Sequence, residues 1–222
     1  MKKTIGYVSA IALTAAATPA AFAHSNFAGF YVGAQGGFGT QVTKAQQQDA
    51  TNPNDGQDAE FSGTGFVGGL LAGWGMTMEA FYFGFNLAWA FSGISGENKQ
   101  FTGETARISM CDMFTAMVRL GYVWDSALLY VALGWANAKW ELKNPGHNYD
   151  NPNSDTRHSG FVCAMGAEMP VAEVFFIGIE TAYAMFGEKK YTRNIGGAAD
   201  TRYKVCPNVF TFMLRGVWRF QA

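Results

Sequence analysis

From Phe27 onward the chain alternates apolar with small or polar residues at a period of two, in runs separated by polar connections. In the first run Phe30, Val32, Ala34, Gly36 and Phe38 share one face, and Tyr31, Gly33, Gln35 and Gly37 share the other. The third run is the clearest: Phe81, Phe83, Phe85, Leu87, Trp89 and Phe91 oppose Tyr82, Gly84, Asn86, Ala88 and Ala90. In the fifth, Leu129, Val131, Leu133 and Trp135 oppose Tyr130, Ala132, Gly134 and Ala136. In the seventh, Phe175, Ile177, Ile179, Tyr183 and Met185 oppose Gly178, Glu180 and Ala182. Successive side chains of a strand point to opposite faces, so each run predicts a strand with one apolar face. Long polar connections fall near 41–60, 92–106, 142–158 and 187–203, and short ones near 75–79, 124–127 and 170–173. Seven connections of alternating length predict eight antiparallel strands in an all-β, up-and-down transmembrane barrel. The apolar face then meets lipid. The first connection is long, which places the N-terminus on the short-turn, periplasmic side.

The depth of the apolar face supports the same picture. It runs from Phe30 to Thr40, Trp74 to Thr64, Tyr122 to Asp112, Leu129 to Lys139, Met169 to Ser159 and Phe220 to Asn208 before turning polar. Five of these intervals span 10 residues and the last spans 220 − 208 = 12, where a tilted strand crosses the hydrocarbon in about 9–11. Trp74, Tyr122 and Trp124 are expected at the lower membrane boundary, and Trp89, Phe91, Trp135 and Trp140 at the upper one. A helical reading competes over residues 63–92, where Glu79 is the one charge and Gly65, Gly69 and Gly73 form a small-xxx-small series. Glycine and aromatics dominate there instead of Leu and Ala, and no comparable apolar run recurs further on. A soluble lipocalin-like barrel needs the opposite polarity, whereas the inward candidates here include Gln35, Asn86, Arg119, Glu180 and Arg215.

The first residues add a destination. Lys2 and Lys3 precede an apolar stretch from Ile5 to Ala17, and Ala21 and Ala23 stand at −3 and −1 of a cleavage site before His24. This is the pattern of a secretory signal peptide over residues 1–23, too short for a bilayer span. Processing leaves 222 − 23 = 199 residues, 24–222, enough for one domain, and moves the net charge from −1 to −3. No basic excess argues for nucleic acid. Cys111, Cys163 and Cys206 are too widely spaced for a metal motif or a disulfide framework. No cofactor is expected.

Three segments resemble the small opacity-type outer-membrane barrels related to the OmpA transmembrane domain. They are NFAGFYVGAQGGFG after the leader, FIGIETAYAMFG with its inward Glu180, and the ending FTFMLRGVWRF with inward Arg215. The resemblance implies the cell outer membrane, a terminal aromatic read by the barrel assembly machinery, and a role as envelope protein, surface antigen or host-contact protein. Phe220 departs from the pattern in being followed by Gln221 and Ala222. No peptidoglycan-binding module is expected after the last strand.

Candidate chemistry is sparse. A few barrels of this size modify lipid A through His and Ser residues at the outer rim. His158 and Ser159 are neighbours here, and neighbours in a strand face opposite ways, so His158 and His147 read as solvated loop residues. No enzyme, catalytic residue or metal ligand is expected. Eight strands leave a lumen just wide enough to be filled by side chains, so a porin-like channel is the lesser alternative. Glu180 and Arg215 are expected to pair inside it, with Arg119 and Glu168 as extensions of a network. Outside, Lys189, Lys190, Arg193, Arg202 and Lys204 form a basic loop, read as solvated or as a contact for lipopolysaccharide phosphates. The expected partners are therefore membrane lipid, lipopolysaccharide, the assembly machinery and a host surface ligand.

Overall fold

The structure, a computed structural model, describes residues 27–48, 58–98, 106–143, 155–193 and 201–220. The expected signal peptide at 1–23 lies outside the described residues. Ten strands follow in order: β1 (Gly29–Gln48), β2 (Asp58–Met78), β3 (Phe81–Ser92), β4 (Ser95–Asn98), β5 (Ala106–Trp124), β6 (Ala127–Lys143), β7 (Asp155–Pro170), β8 (Phe175–Phe186), β9 (Lys189–Arg193) and β10 (Thr201–Phe220). β4 prolongs β3 beyond a break at Gly93-Ile94, and β9 prolongs β8 beyond Gly187-Glu188, so the wall has eight staves. Each pairs antiparallel with its chain neighbours, and β1 pairs with both β2 and β10, which closes the ring. The stretch that competed as a helix is β2 and β3.

Closure fixes the stagger. Following ladder partners from Gln41 through Val209, Ala184, Val162, Gly134, Met117, Asn86 and Gly73 returns to β1 at Tyr31. One circuit therefore drops 41 − 31 = 10 residues, which goes with strands tilted by roughly 35–45°. The predicted membrane boundaries also line up across the ladder. Phe30 partners both Trp74 and Phe220, and Tyr122 partners Leu129, at the lower edge. Thr40 partners Thr64, and Asp112 partners Lys139, at the upper edge.

The outward faces carry the apolar residues, as in β3, whose side chains alternate exposed and buried along its length. Trp74, Trp89, Tyr122, Trp124 and Trp135 are exposed on the wall. Trp140 is not. It is buried in the lumen because it shares the even-numbered parity of Tyr130, Ala136 and Ala138, so it leaves the upper girdle. Trp218, exposed on β10 two residues from the lower edge, belongs with the aromatics there.

Above the membrane the staves run on. Residues 41–48, 58–60, 95–98, 106, 142–143, 155–158, 189–193 and 201–203 were expected in connections and are strand. Backbone pairing continues there although the sequence has lost its apolar alternation. The two short turns are tighter than expected, Glu79-Ala80 and Asp125-Ser126, and Glu79 and Asp125 adopt φ of 54° and 55°. A positive φ suits a two-residue hairpin turn and strains any residue but glycine. Glu79→Gly is expected to raise unfolding stability by about 0.5–1 kcal/mol, read as a higher urea midpoint at unchanged slope.

Candidate functional site

The lumen is filled in three layers. In the lowest one, Arg119 comes from β5, Glu168 from β7, Glu180 from β8, and Arg215 with Arg219 from β10, all buried. Arg119 Nη1 donates to Glu168 Oε1 at 3.0 Å and its Nη2 to Glu180 Oε2 at 2.9 Å. Arg215 Nη1 contacts the same Glu180 oxygen and donates to the Tyr130 hydroxyl at 3.1 Å, while its Nη2 donates to Asn86 Oδ1 at 3.1 Å. Tyr130 O–H donates to Glu180 Oε2 at 2.8 Å, and Tyr31 O–H to Asn86 Oδ1 at 3.2 Å. Ladder register explains the convergence. Gly178 of β8 partners Glu168 on one side and Arg215 on the other, and Glu180 lies two residues along on the same face.

Arg219, which was not singled out in the sequence, completes the floor. Its Nη2 donates to Glu168 Oε2 at 2.6 Å and its Nη1 to the Phe27 carbonyl at 2.7 Å. Its guanidinium lies 4.7 Å from the Tyr31 ring centroid and 5.0 Å from that of Phe176, within cation–π range. Arg119 lies likewise 4.4 Å from Tyr130. Glycine makes room for these rings. A Cβ on Gly73 would come within 2.4 Å of Tyr31 and one on Gly166 within 2.4 Å of Tyr130.

Above the charges lies a layer of small residues, in which Ala132, Ala136, Ala138 and Ala184 are each no more than 2% exposed. Even alanine therefore faces no water-sized void at these points. The uppermost layer is a cap in which Trp140 stacks edgewise on His158 and Phe186 at 6.4 and 6.0 Å between centroids. Gln41 reaches across from β1, its Nε2 donating to the Ile108 carbonyl at 3.0 Å. His158 is thus a buried strand residue, 1% exposed, rather than a solvated loop histidine. The register of β7 turns it inward, with its Nδ1 3.3 Å from the Gly187 carbonyl oxygen. Ser159 faces outward and accepts from Asn137 Nδ2 at 2.9 Å, so the two do not form a dyad. Among the described residues, no cluster of His, Cys, Asp or Glu could hold a metal ion.

The basic residues of the fourth connection are placed in strands as well. Lys189, Lys190 and Arg193 belong to β9, and Arg202 and Lys204 to β10, where the ladder sets Lys190 opposite Lys204. These five residues therefore extend the wall as paired strand and do not form a loop.

A closed wall of eight antiparallel staves, apolar outside, charged within and bounded by aromatics, defines a transmembrane β-barrel of the outer membrane. The model of the outer membrane protein beta-barrel domain matches residues 8–216, and the chain belongs to that family. Among solved structures it is similar to the outer membrane protein OprG from Pseudomonas aeruginosa, with 15% identity, a TM-score of 0.57, and coverage of 87% of this chain and 97% of that one. It is also similar to the outer membrane protease OmpT from Escherichia coli, with 9% identity, a TM-score of 0.50, and coverage of 86% and 97%. At these identities the likeness is one of fold. No curated protein matches the sequence.

Proposed function

We propose that the protein is a non-catalytic surface barrel that stabilises the envelope and meets its surroundings through its extracellular end, in the manner of the opacity-type barrels. The filled lumen carries this reading. With Arg119 bound to both Glu168 and Glu180 beneath the Trp140 cap, the outer wall and rim are the surfaces left to act. Export through residues 1–23, insertion by the assembly machinery reading Phe220, and contact with lipopolysaccharide, with a host ligand or with antibodies as a surface antigen complete the proposal. No cofactor enters it. A narrow porin-like channel would need the Arg119–Glu180 contact to open, and a lipid A-modifying activity would need His158 to leave the lumen.

A deletion strain tests the reading, with detergent sensitivity and host-cell attachment measured side by side. The expected result is increased detergent sensitivity, reduced attachment, or both, with complementation by the wild-type gene. A strain unchanged in both, or purified protein giving stable ion conductance in planar bilayers, would sink it.

A further inference from the structure

The lipid-facing wall is not uniform at its upper edge. On β1 and β2 the outward face first turns polar at the uncharged partners Thr40 and Thr64, the partners Val42 and Ser62 follow, and the first outward charges, the partners Lys44 and Glu60, stand four residues higher (44 − 40 = 4; 64 − 60 = 4). On β5, β6 and β7 charge begins at the edge itself. Asp112, Lys139 and Arg157 are successive ladder partners across these three strands, on the outward face. Arg157, with a side chain 54% exposed, is held in a fixed pose: Nη1 donates to Asn137 Oδ1 at 2.9 Å and Nη2 lies 3.2 Å from Asp112 Oδ1. Asn137 in turn donates to Ser159. Directly below are Phe114, Trp135 and Phe161, with Phe114 and Trp135 edge to face at 6.2 Å and Trp135 partnered with Phe161.

We propose that this sector seats one phosphorylated glycolipid of the outer leaflet, the phosphoglucosamine end of lipopolysaccharide. The reading rests on the chain being a surface barrel of the outer membrane. Arg157 and Lys139 supply cations where a headgroup phosphate sits, and a planar guanidinium matches a phosphate's paired oxygens. Asp112, Asn137 and Ser159 are acceptors and donors set among those cations, which suits the hydroxyl and amide groups of a sugar. A glycerophospholipid headgroup offers fewer such groups. The acyl chains run down over Trp135, Phe114 and Phe161.

The test uses the full mature chain refolded into phosphatidylcholine vesicles, with thermal unfolding as the readout. Purified lipopolysaccharide, dephosphorylated lipopolysaccharide, phosphatidylglycerol and inorganic phosphate are the additives. Lipopolysaccharide is expected to raise the unfolding temperature of the wild type, and the other three to give less than half that rise. Arg157→Gln with Lys139→Gln is expected to lose most of the rise, while Lys44→Gln on the opposite wall keeps it. Equal stabilisation by phosphatidylglycerol or by inorganic phosphate, or a rise that survives the double substitution, would overturn the proposal. Heat-modifiable migration in detergent reports whether each variant is a folded barrel. A folded double variant that no longer responds to lipopolysaccharide supports the site, and one that responds as wild type does overturns it without touching the surface-barrel reading.

Discussion

Replacing Arg119 with methionine is expected to destabilise the barrel by about 3–5 kcal/mol, the cost of breaking a buried ion pair from one side. Methionine keeps much of the aliphatic length, so loss of the guanidinium dominates. Among the described residues, Arg119 is the one side chain that bonds both Glu168 and Glu180. Without it, Glu168 retains Arg219 and Glu180 retains Arg215, each buried carboxylate losing one of two cationic partners. The check is urea unfolding in lipid vesicles. Adding Glu180→Gln removes a charge that Arg119 no longer answers, so the double variant is expected to lose clearly less than the sum of the two single losses. Strict additivity, or an Arg119→Met loss below about 1 kcal/mol, would mean that the lumen charges are hydrated one by one.

The strands were legible where their two faces differ chemically. Between the membrane boundaries the outward residue is Phe, Leu, Val or Trp and the inward one is small or polar, so period two is visible in residue type alone. Above Thr40 and Thr64 polar residues appear on both faces, Gln41 and Thr43 inward and Lys44, Ser62 and Glu60 outward, so residue type no longer shows the alternation. That is why residues 41–48 and 189–193 read as connections although the ladder continues through them. His158 lies in the same kind of stretch, where residue type does not show that the strand runs on. Trp140 is a different case. Its even parity with Tyr130, Ala136 and Ala138 was available, but a tryptophan near a membrane edge invites a boundary role, and parity wins because the strand is regular there. Parity also marks Arg219, four residues from Arg215 on the same face of β10. The irregularity between Met110 and Asp112 had no such marker. It inserts Cys111 and turns Arg107 and Ser109 to the outward side, a change of register that residue type does not announce.

Placing arginine along β2 should separate the hydrocarbon from the headgroups. Leu70, 67% exposed on the outward face, lies four residues above Trp74 and six below Thr64, near the middle of the apolar band. An arginine there cannot be hydrated without snorkelling or thinning the bilayer, so Leu70→Arg is expected to cost about 2–4 kcal/mol. Thr64 is also exposed on the same face of the same strand, but it partners Thr40 where the outward surface turns polar. Thr64→Arg is therefore expected to cost about 0–1 kcal/mol, the value for a boundary position. Both substitutions leave the inward face untouched, so packing of the lumen does not enter the comparison. The measurement is equilibrium unfolding of each variant in vesicles of defined hydrocarbon thickness. In a thinner bilayer the Leu70→Arg penalty should shrink while that of Thr64→Arg stays near zero. Equal costs at the two positions, in either bilayer, would place the membrane elsewhere on the wall and remove the upper edge at Thr40 and Thr64 from which the Asp112–Lys139–Arg157 sector takes its meaning.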